Sequence, residues 1–309
     1  MVENDYKSNS SAKIYERGYR PWKRQMQPKK MVLLNLIWEE IKLIARPRWV
    51  IIMFIILRFL LIVKDILTVY GISTGFFQQF PFSLAYAINV GNNSMMGVTD
   101  LLLAYYVASS VISRDRVSGA YALYFSRDIS RTEYLLVKFI ASAFYMTSFT
   151  WLPAIYKYVA IGAFYDFTPI DYLKWKNFSL LLISLGYGVL VMAFLNSLIL
   201  LLSMFVKKGW YIAIIIIPLR YISDTIAIIT FLLKVKYAPL YAGPPSYGEY
   251  ILYWAFGISN EQLSNNLGFQ IDFLAPISKI GSIAFLIVLG LSILLFSLLY
   301  YKIQKLEVQ

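Results

Sequence analysis

The chain contains neither cysteine nor histidine. Disulfides, thiolate nucleophiles, haem and zinc sites with Cys or His ligands, and imidazole acid–base chemistry all need those side chains. No catalytic residue and no metal site is therefore nominated. Charge is scarce as well: 15% of the 309 residues are Asp, Glu, Lys or Arg, against about 25% in soluble domains. That excludes an ordinary soluble enzyme. The pattern G-x-x-x-x-G-K-[ST] is also missing, so the chain has no backbone cradle of that kind for nucleotide phosphates.

What remains is apolar side chains, 59% of the sequence, with a mean hydropathy of +0.61. They lie in long blocks. A helix needs about 20 apolar residues to cross roughly 30 Å of hydrocarbon, and six blocks meet that length: Trp49–Tyr70, Met95–Ile112, Tyr134–Ala163, Phe178–Val206, Trp210–Leu233 and Ile280–Tyr301. The fourth and sixth carry no charge. The expected fold is thus an all-α membrane protein with six transmembrane helices over 49–301. Ahead of them Met1–Lys30 is polar, with eight Lys/Arg against three acids and no signal-type apolar core. Met31–Arg46 then places Leu33, Leu34, Ile37, Ile41 and Ile44 three or four apart, with Asn35, Glu39, Lys42 and Arg46 mostly opposite. Pro47 ends that run. The spacing predicts an amphipathic helix lying in the inner membrane interface, closing an N-terminal segment 1–48. A short tail, 302–309, follows the last span.

The net charge of +12 is placed by topology. Basic residues concentrate in Met1–Arg48, between the second and third spans, at Lys207 and Lys208, and in the tail, whereas the opposite loops hold Lys174, Lys176, Lys234 and Lys236. The positive-inside rule then expects both termini in the cytoplasm of a multi-pass plasma-membrane protein. Nucleic acid is not needed to explain the charge. Gly71–Asn93, without a charged residue, is expected outside, as is Tyr237–Pro276. In the latter, Tyr250–Ile258 is an apolar stretch too short to span, of the kind that lies at the interface or dips in and out.

One loop carries more information than the rest. Between the second and third spans runs Ile112-Ser-Arg-Asp-Arg-Val-Ser-Gly-Ala-Tyr-Ala-Leu-Tyr-Phe-Ser-Arg-Asp-Ile-Ser-Arg-Thr-Glu133, with Lys138 a turn beyond. Ala120–Phe125 is long enough for a short helix, and Ser130 with Glu133 has the spacing of a capping box. The segment resembles the intracellular loop of the type-2 ABC transporter permease family, which reads acid-Arg-x-x-Gly-Thr, then Leu, then Leu-Ser-x-Pro-Ile-Ser-Arg, then Lys. The matching positions are Asp115, Arg116, Gly119, Leu123, Ser126, Ile129, Ser130, Arg131 and Lys138; Ala120 and Asp128 depart from the family's Thr and Pro. Tyr15–Arg20 is similar to a short Tyr/Gly/Arg motif that these permeases carry before the interfacial helix.

The resemblance implies that this loop is a cytoplasmic coupling helix docking on a separate nucleotide-binding ABC ATPase subunit. It also implies a second permease subunit, identical or not, and a role in export. ATP and Mg would then be bound by the partner, with no cofactor on this chain. Charges inside the expected spans leave other readings open. Arg58 lies about 14 Å past Trp49 at 1.5 Å per residue, Asp100 falls in the second span, and Arg220 and Asp224 sit four apart in the fifth, one turn after Pro218. Such residues either pair to hold spans together or line a polar path. An Arg–Asp pair of this kind also suits an ion-coupled secondary transporter. A membrane anchor that recruits a cytoplasmic ATPase without transporting is a further alternative.

Overall fold

The computed structural model describes residues 28–46, 111–125, 129–164, 174–206, 208, 210–244, 247–267 and 273–305, with isolated helical positions between 52 and 63, at 83–86 and at 170. Every regular element among the described residues is a helix. In chain order these are α1 (Lys29–Ala45), α2 (111–118), α3 (Tyr121–Phe125), α4 (Arg131–Phe164), α5 (Trp175–Ser203), α6 (Trp210–Leu232), α7 (Ala238–Ala242), α8 (Gly248–Ala255), α9 (Asn260–Leu267) and α10 (Ile277–Gln304). Four contain stretches long and apolar enough to cross a membrane: Arg131–Ala163, Trp175–Ser203, Ile214–Leu232 and Ile277–Gln304. Most of the first two expected spans, and the Tyr15–Arg20 motif, lie outside the described residues.

The bundle centres on α5, which packs between α4 and α10. It is apolar on every side, as a helix enclosed by other helices or lipid must be. Asn196 and Ser184 are among its buried polar residues, with Ser197 and Ser203: the Asn196 amide donates to the Phe139 carbonyl of α4 at 3.0 Å, and the Ser184 hydroxyl turns back onto the Leu180 carbonyl at 2.9 Å. With 34 residues, α4 is about 51 Å long at 1.5 Å per residue. It outruns the roughly 30 Å of a hydrocarbon layer, so its ends project. The chain continues helically through Pro153 of α4 and Pro218 of α6.

The ends of the helices sort into two layers. At one lie the start of α4 and the last turns of α5 and α10, where Lys302 stands 5.3 Å from the Phe205 ring just past α5. At the other, the Tyr86 hydroxyl donates to the Ala154 carbonyl of α4 at 3.1 Å and its ring stacks on Phe256 at 5.9 Å. The apolar stretch Tyr250–Ile258 forms most of α8 and the turn after it. There Ile251, Leu252 and Tyr253 are buried, and α8 packs along α10. That packing requires Gly281, because a Cβ there would collide with the Tyr250 carbonyl and the Trp254 Cβ. Small residues let membrane helices approach in this way. Asn260 fixes the corner, accepting the Ile277 N–H at 2.7 Å as α10 begins.

Candidate functional site at the basic end of the bundle

The loop singled out in the sequence begins with α2, and its conformation follows from one glycine. Gly119 has φ +68, a left-handed geometry costing other residues about 1–2 kcal/mol. Beyond it the Ala120 N–H returns to the Asp115 carbonyl at 2.9 Å, the six-to-one bond of a Schellman helix end. The chain reverses there. The following α3 starts at Tyr121, so Ala120 belongs to the turn and not to the expected short helix. After it, the Ser130 N–H and hydroxyl meet a Glu133 carboxylate oxygen at 2.8 and 2.9 Å, and the Glu133 N–H returns to the Ser130 hydroxyl at 3.2 Å. This reciprocal cap starts α4.

Behind the turn is a cluster of four charges, three of them buried and the fourth, Arg114, half-buried at its edge. Lys138 of α4, fully buried, places its Nζ 2.6 Å from Glu40 Oε1 and 2.6 Å from Asp115 Oδ2. Arg114 reaches the same two acids at 3.3 and 3.7 Å. Two cations thus balance two anions. Tyrosines complete the shell: Tyr124 donates to Glu40 at 2.6 Å, Tyr134 donates to Asp115 at 3.1 Å, and their rings bracket Lys138 at 5.0 and 5.4 Å. A buried ion needs this degree of pairing, because its desolvation penalty is several kcal/mol. The cluster therefore ties α1, α2, α3 and α4 together.

Burial and the hydrogen bond to Glu40 hold the Tyr124 hydroxyl well above the ordinary tyrosine range, which keeps it a neutral donor. Tyr121 is 9% exposed and its ring lies edge-on to Tyr134 at 5.5 Å. Its hydroxyl finds no hydrogen-bond partner among the described residues. Burial, reinforced by the negative charge of Asp115, pushes it up to about 12.

Two arginines of the loop reach further. Arg116 donates to the Met204 carbonyl at the end of α5, and Arg131 donates to the Gln304 carbonyl at the end of α10. Gln304 answers with a bond to Thr132 at 3.2 Å, and Arg131 stands 5.8 Å from the Phe125 ring. Cations suit these positions, since the last carbonyls of a helix are unpaired and carry its negative pole. Ile129 is buried in the core. In contrast, the tip is open: Val117 is 65% exposed and nothing lies within 4 Å of where a Gly119 Cβ would stand.

Of the loop positions singled out, Asp115, Arg116, Gly119, Ile129, Ser130 and Arg131 thus fall in one compact layer. Leu123 sits on α3 with its side chain outside the described set, and Ser126 lies outside it altogether. Among the intramembrane charges, Arg58 and Asp100 lie outside the described residues, and Arg220 and Asp224 are on α6 with side chains not described. Sequence reasoning missed Glu40, Arg114, Tyr124 and Tyr134. Glu40 had a signal: it falls at i+3 from Ile37 and i−4 from Ile44, a carboxylate inside an apolar stripe, which calls for a buried cation. Among the described residues no group of three or more acidic side chains suits a metal ion. No family model matches this chain, and no curated protein matches it.

Proposed function

We propose that the chain is the permease subunit of an ATP-driven ABC transporter, an exporter, whose hydrolysis takes place on a separate nucleotide-binding subunit carrying ATP and Mg. The observation that carries this reading is the mechanical wiring of the 111–131 elbow. Its exposed tip, Val117 to Gly119, rises from a base joined by Lys138, Arg114, Arg116 and Arg131 to α1, α4, α5 and α10. A push on the tip is delivered to three long apolar helices at once. A solvated loop placed by charge alone has no need of a base with three buried charges.

The membrane fits around this frame. Lys138 and Lys157 of α4 are 19 residues apart in sequence, about 28 Å of helix, close to the hydrocarbon thickness. With the basic end inward, the elbow faces the cytoplasm and the Tyr86–Phe256 layer faces outward, as the positive-inside rule expects. On this reading the first two spans complete a six-span plasma-membrane subunit with both termini inside, and a second permease subunit shares the conduit. The test is purification from native membranes, followed by reconstitution. A co-purifying ATPase, with substrate flux that needs ATP, is expected; flux without ATP and no nucleotide-binding partner would overturn the assignment.

A further inference from the structure

At the end of the bundle away from the elbow, the chain folds around a cavity of about 400 Å³ between α8, α9 and the start of α10. Its shape is fixed by short-range rules. Gly257, at φ +71, stops α8, and the Ile258 N–H returns to the Tyr253 carbonyl at 2.8 Å. Ser259 and Gln262 then cap α9 reciprocally at 3.0 and 3.2 Å, which sets Glu261 in its first turn. From the same helix Asn260 holds the Leu274 and Ala275 carbonyls as well as the Ile277 N–H. Ile258, Leu274 and Ile277 are buried and form the floor of the cavity, whereas Ser259 and Glu261 stand exposed at its rim. Trp254 makes one wall, its indole braced by Phe285 at 5.6 Å.

We propose that this cavity binds an amphipathic ammonium ion, a cationic nitrogen carried on an apolar chain. The nitrogen sits between the Glu261 carboxylate and the Trp254 indole, and the chain lies on the floor. Three observations select that chemistry. Among the described residues Glu261 is the one charged side chain lining the cavity, and it makes no ion pair there. Lys236 and Lys279, exposed on the flanking segments, leave it unneutralised. An acid beside an indole attracts a cation twice over, through its charge and through the ring's negative face. Next, the floor is apolar and the volume falls in the range of small-molecule sites, more than a bare ion fills. A metal ion would also want several oxygen ligands, and among the described residues no group of three acids is available. Finally, the depth fits. Through Tyr86, Phe256 lies level with Ala154 of α4, three residues short of Lys157. The cavity thus opens near the edge of the hydrocarbon layer, where the head and tail of an amphipath separate. Such a nitrogen is carried equally by a free amphiphile and by a lipid headgroup.

The test is photolabelling of the full chain in dodecyl maltoside, a neutral detergent without nitrogen, by a tetradecyltrimethylammonium analogue carrying a diazirine in its chain. Peptide mass spectrometry is expected to find saturable labelling within residues 254–261 and 274–278. Unmodified tetradecyltrimethylammonium should displace the probe, and tetradecyl sulfate, which keeps the tail and reverses the charge, should not. Glu261 is exposed, so Glu261→Gln keeps the fold and should raise the half-saturating concentration by about two- to fivefold, the size of an exposed ion pair. Trp254→Leu should weaken binding by about two- to fivefold more through lost cation–π attraction. Added phospholipid separates the two sources. Displacement by phosphatidylcholine but not by phosphatidylglycerol identifies a lipid headgroup at the site, and displacement by neither identifies the free amphiphile; both sustain the proposal. Equal displacement by sulfate and ammonium, labelling that spreads along the apolar helices without saturating, or an unchanged half-saturation in Glu261→Gln overturns it. No arm uses ATP or a nucleotide-binding subunit, so this site and the permease reading stand or fall separately.

Discussion

At the scale of single residues the structure is most sensitive at Lys138. Replacing it with Met strands Glu40 and Asp115 with Arg114 as their remaining cation. Breaking a buried ion pair by removing one partner costs about 3–5 kcal/mol, so Lys138→Met should lower the thermal midpoint in detergent sharply. Adding Asp115→Asn should restore part of that loss, because Glu40 then keeps Arg114 to itself. A double variant no more stable than the single one would show that the four charges do not share their energy. Tyr121 offers the opposite sign. Its hydroxyl is buried and unpaired among the described residues, so Tyr121→Phe should stabilise by about 1 kcal/mol. The pH dependence follows from its raised pKa of about 12 against about 10 in an unfolded chain. Between those values the folded state holds the proton more tightly, so stability is full below about pH 10 and falls as pH rises toward 12. In Tyr121→Phe that alkaline loss should shrink, as thermal melts from pH 8 to 11.5 would record.

At the scale of elements, two glycines decide where helices stop and how closely they pack. Gly119→Ala forces a side chain into left-handed geometry, at a cost of about 1–2 kcal/mol, and should slacken the elbow. Gly119→Asn should be milder, since Asn tolerates that region better. Gly281→Ala meets the Tyr250 carbonyl and Trp254, and overpacking of this kind costs about 1–3 kcal/mol. Faster hydrogen exchange over residues 248–255 would report α8 separating from α10; unchanged exchange would mean that the close approach is dispensable. Much at this scale was legible beforehand. The four described spanning helices announce themselves by apolar length and the Ser130–Glu133 cap by its spacing, whereas the expected stripe of α1 does not form one face, Leu34 being exposed while Ile44 is buried. The start of α3 was not legible, because Schellman termination at Gly119 takes Ala120 into the turn. The helical character of α8 also lay beyond reach, since a nine-residue apolar stretch has no periodicity long enough to separate it from a strand or a loop.

At the scale of the whole molecule, the described residues form a bundle whose basic end is knit together and whose opposite end carries the α7–α9 segment and Tyr86. The loop could be found from sequence because its residues are contiguous. Its base was legible only at Glu40, which calls for a buried cation without saying which, because Met204 and Gln304 come from distant parts of the chain and act through backbone carbonyls that no side chain advertises. That base gives the proposed mechanism its physical content: nucleotide-driven movement of a partner subunit reaches the spans through a short stiff elbow. The ion-coupled alternative separates cleanly, since Asp224→Asn should leave ATP-driven flux with unchanged dependence on external pH, whereas loss of a proton-gradient-driven flux would favour a carrier. The most direct measurement is substrate flux in vesicles holding the reconstituted complex, comparing the natural chain with Val117→Asp at the exposed tip. Flux that requires ATP and drops by at least tenfold in the variant, with its thermal midpoint and membrane content unchanged, is the expected result. Equal flux in both, or flux that persists without ATP, would contradict a role for this elbow in coupling.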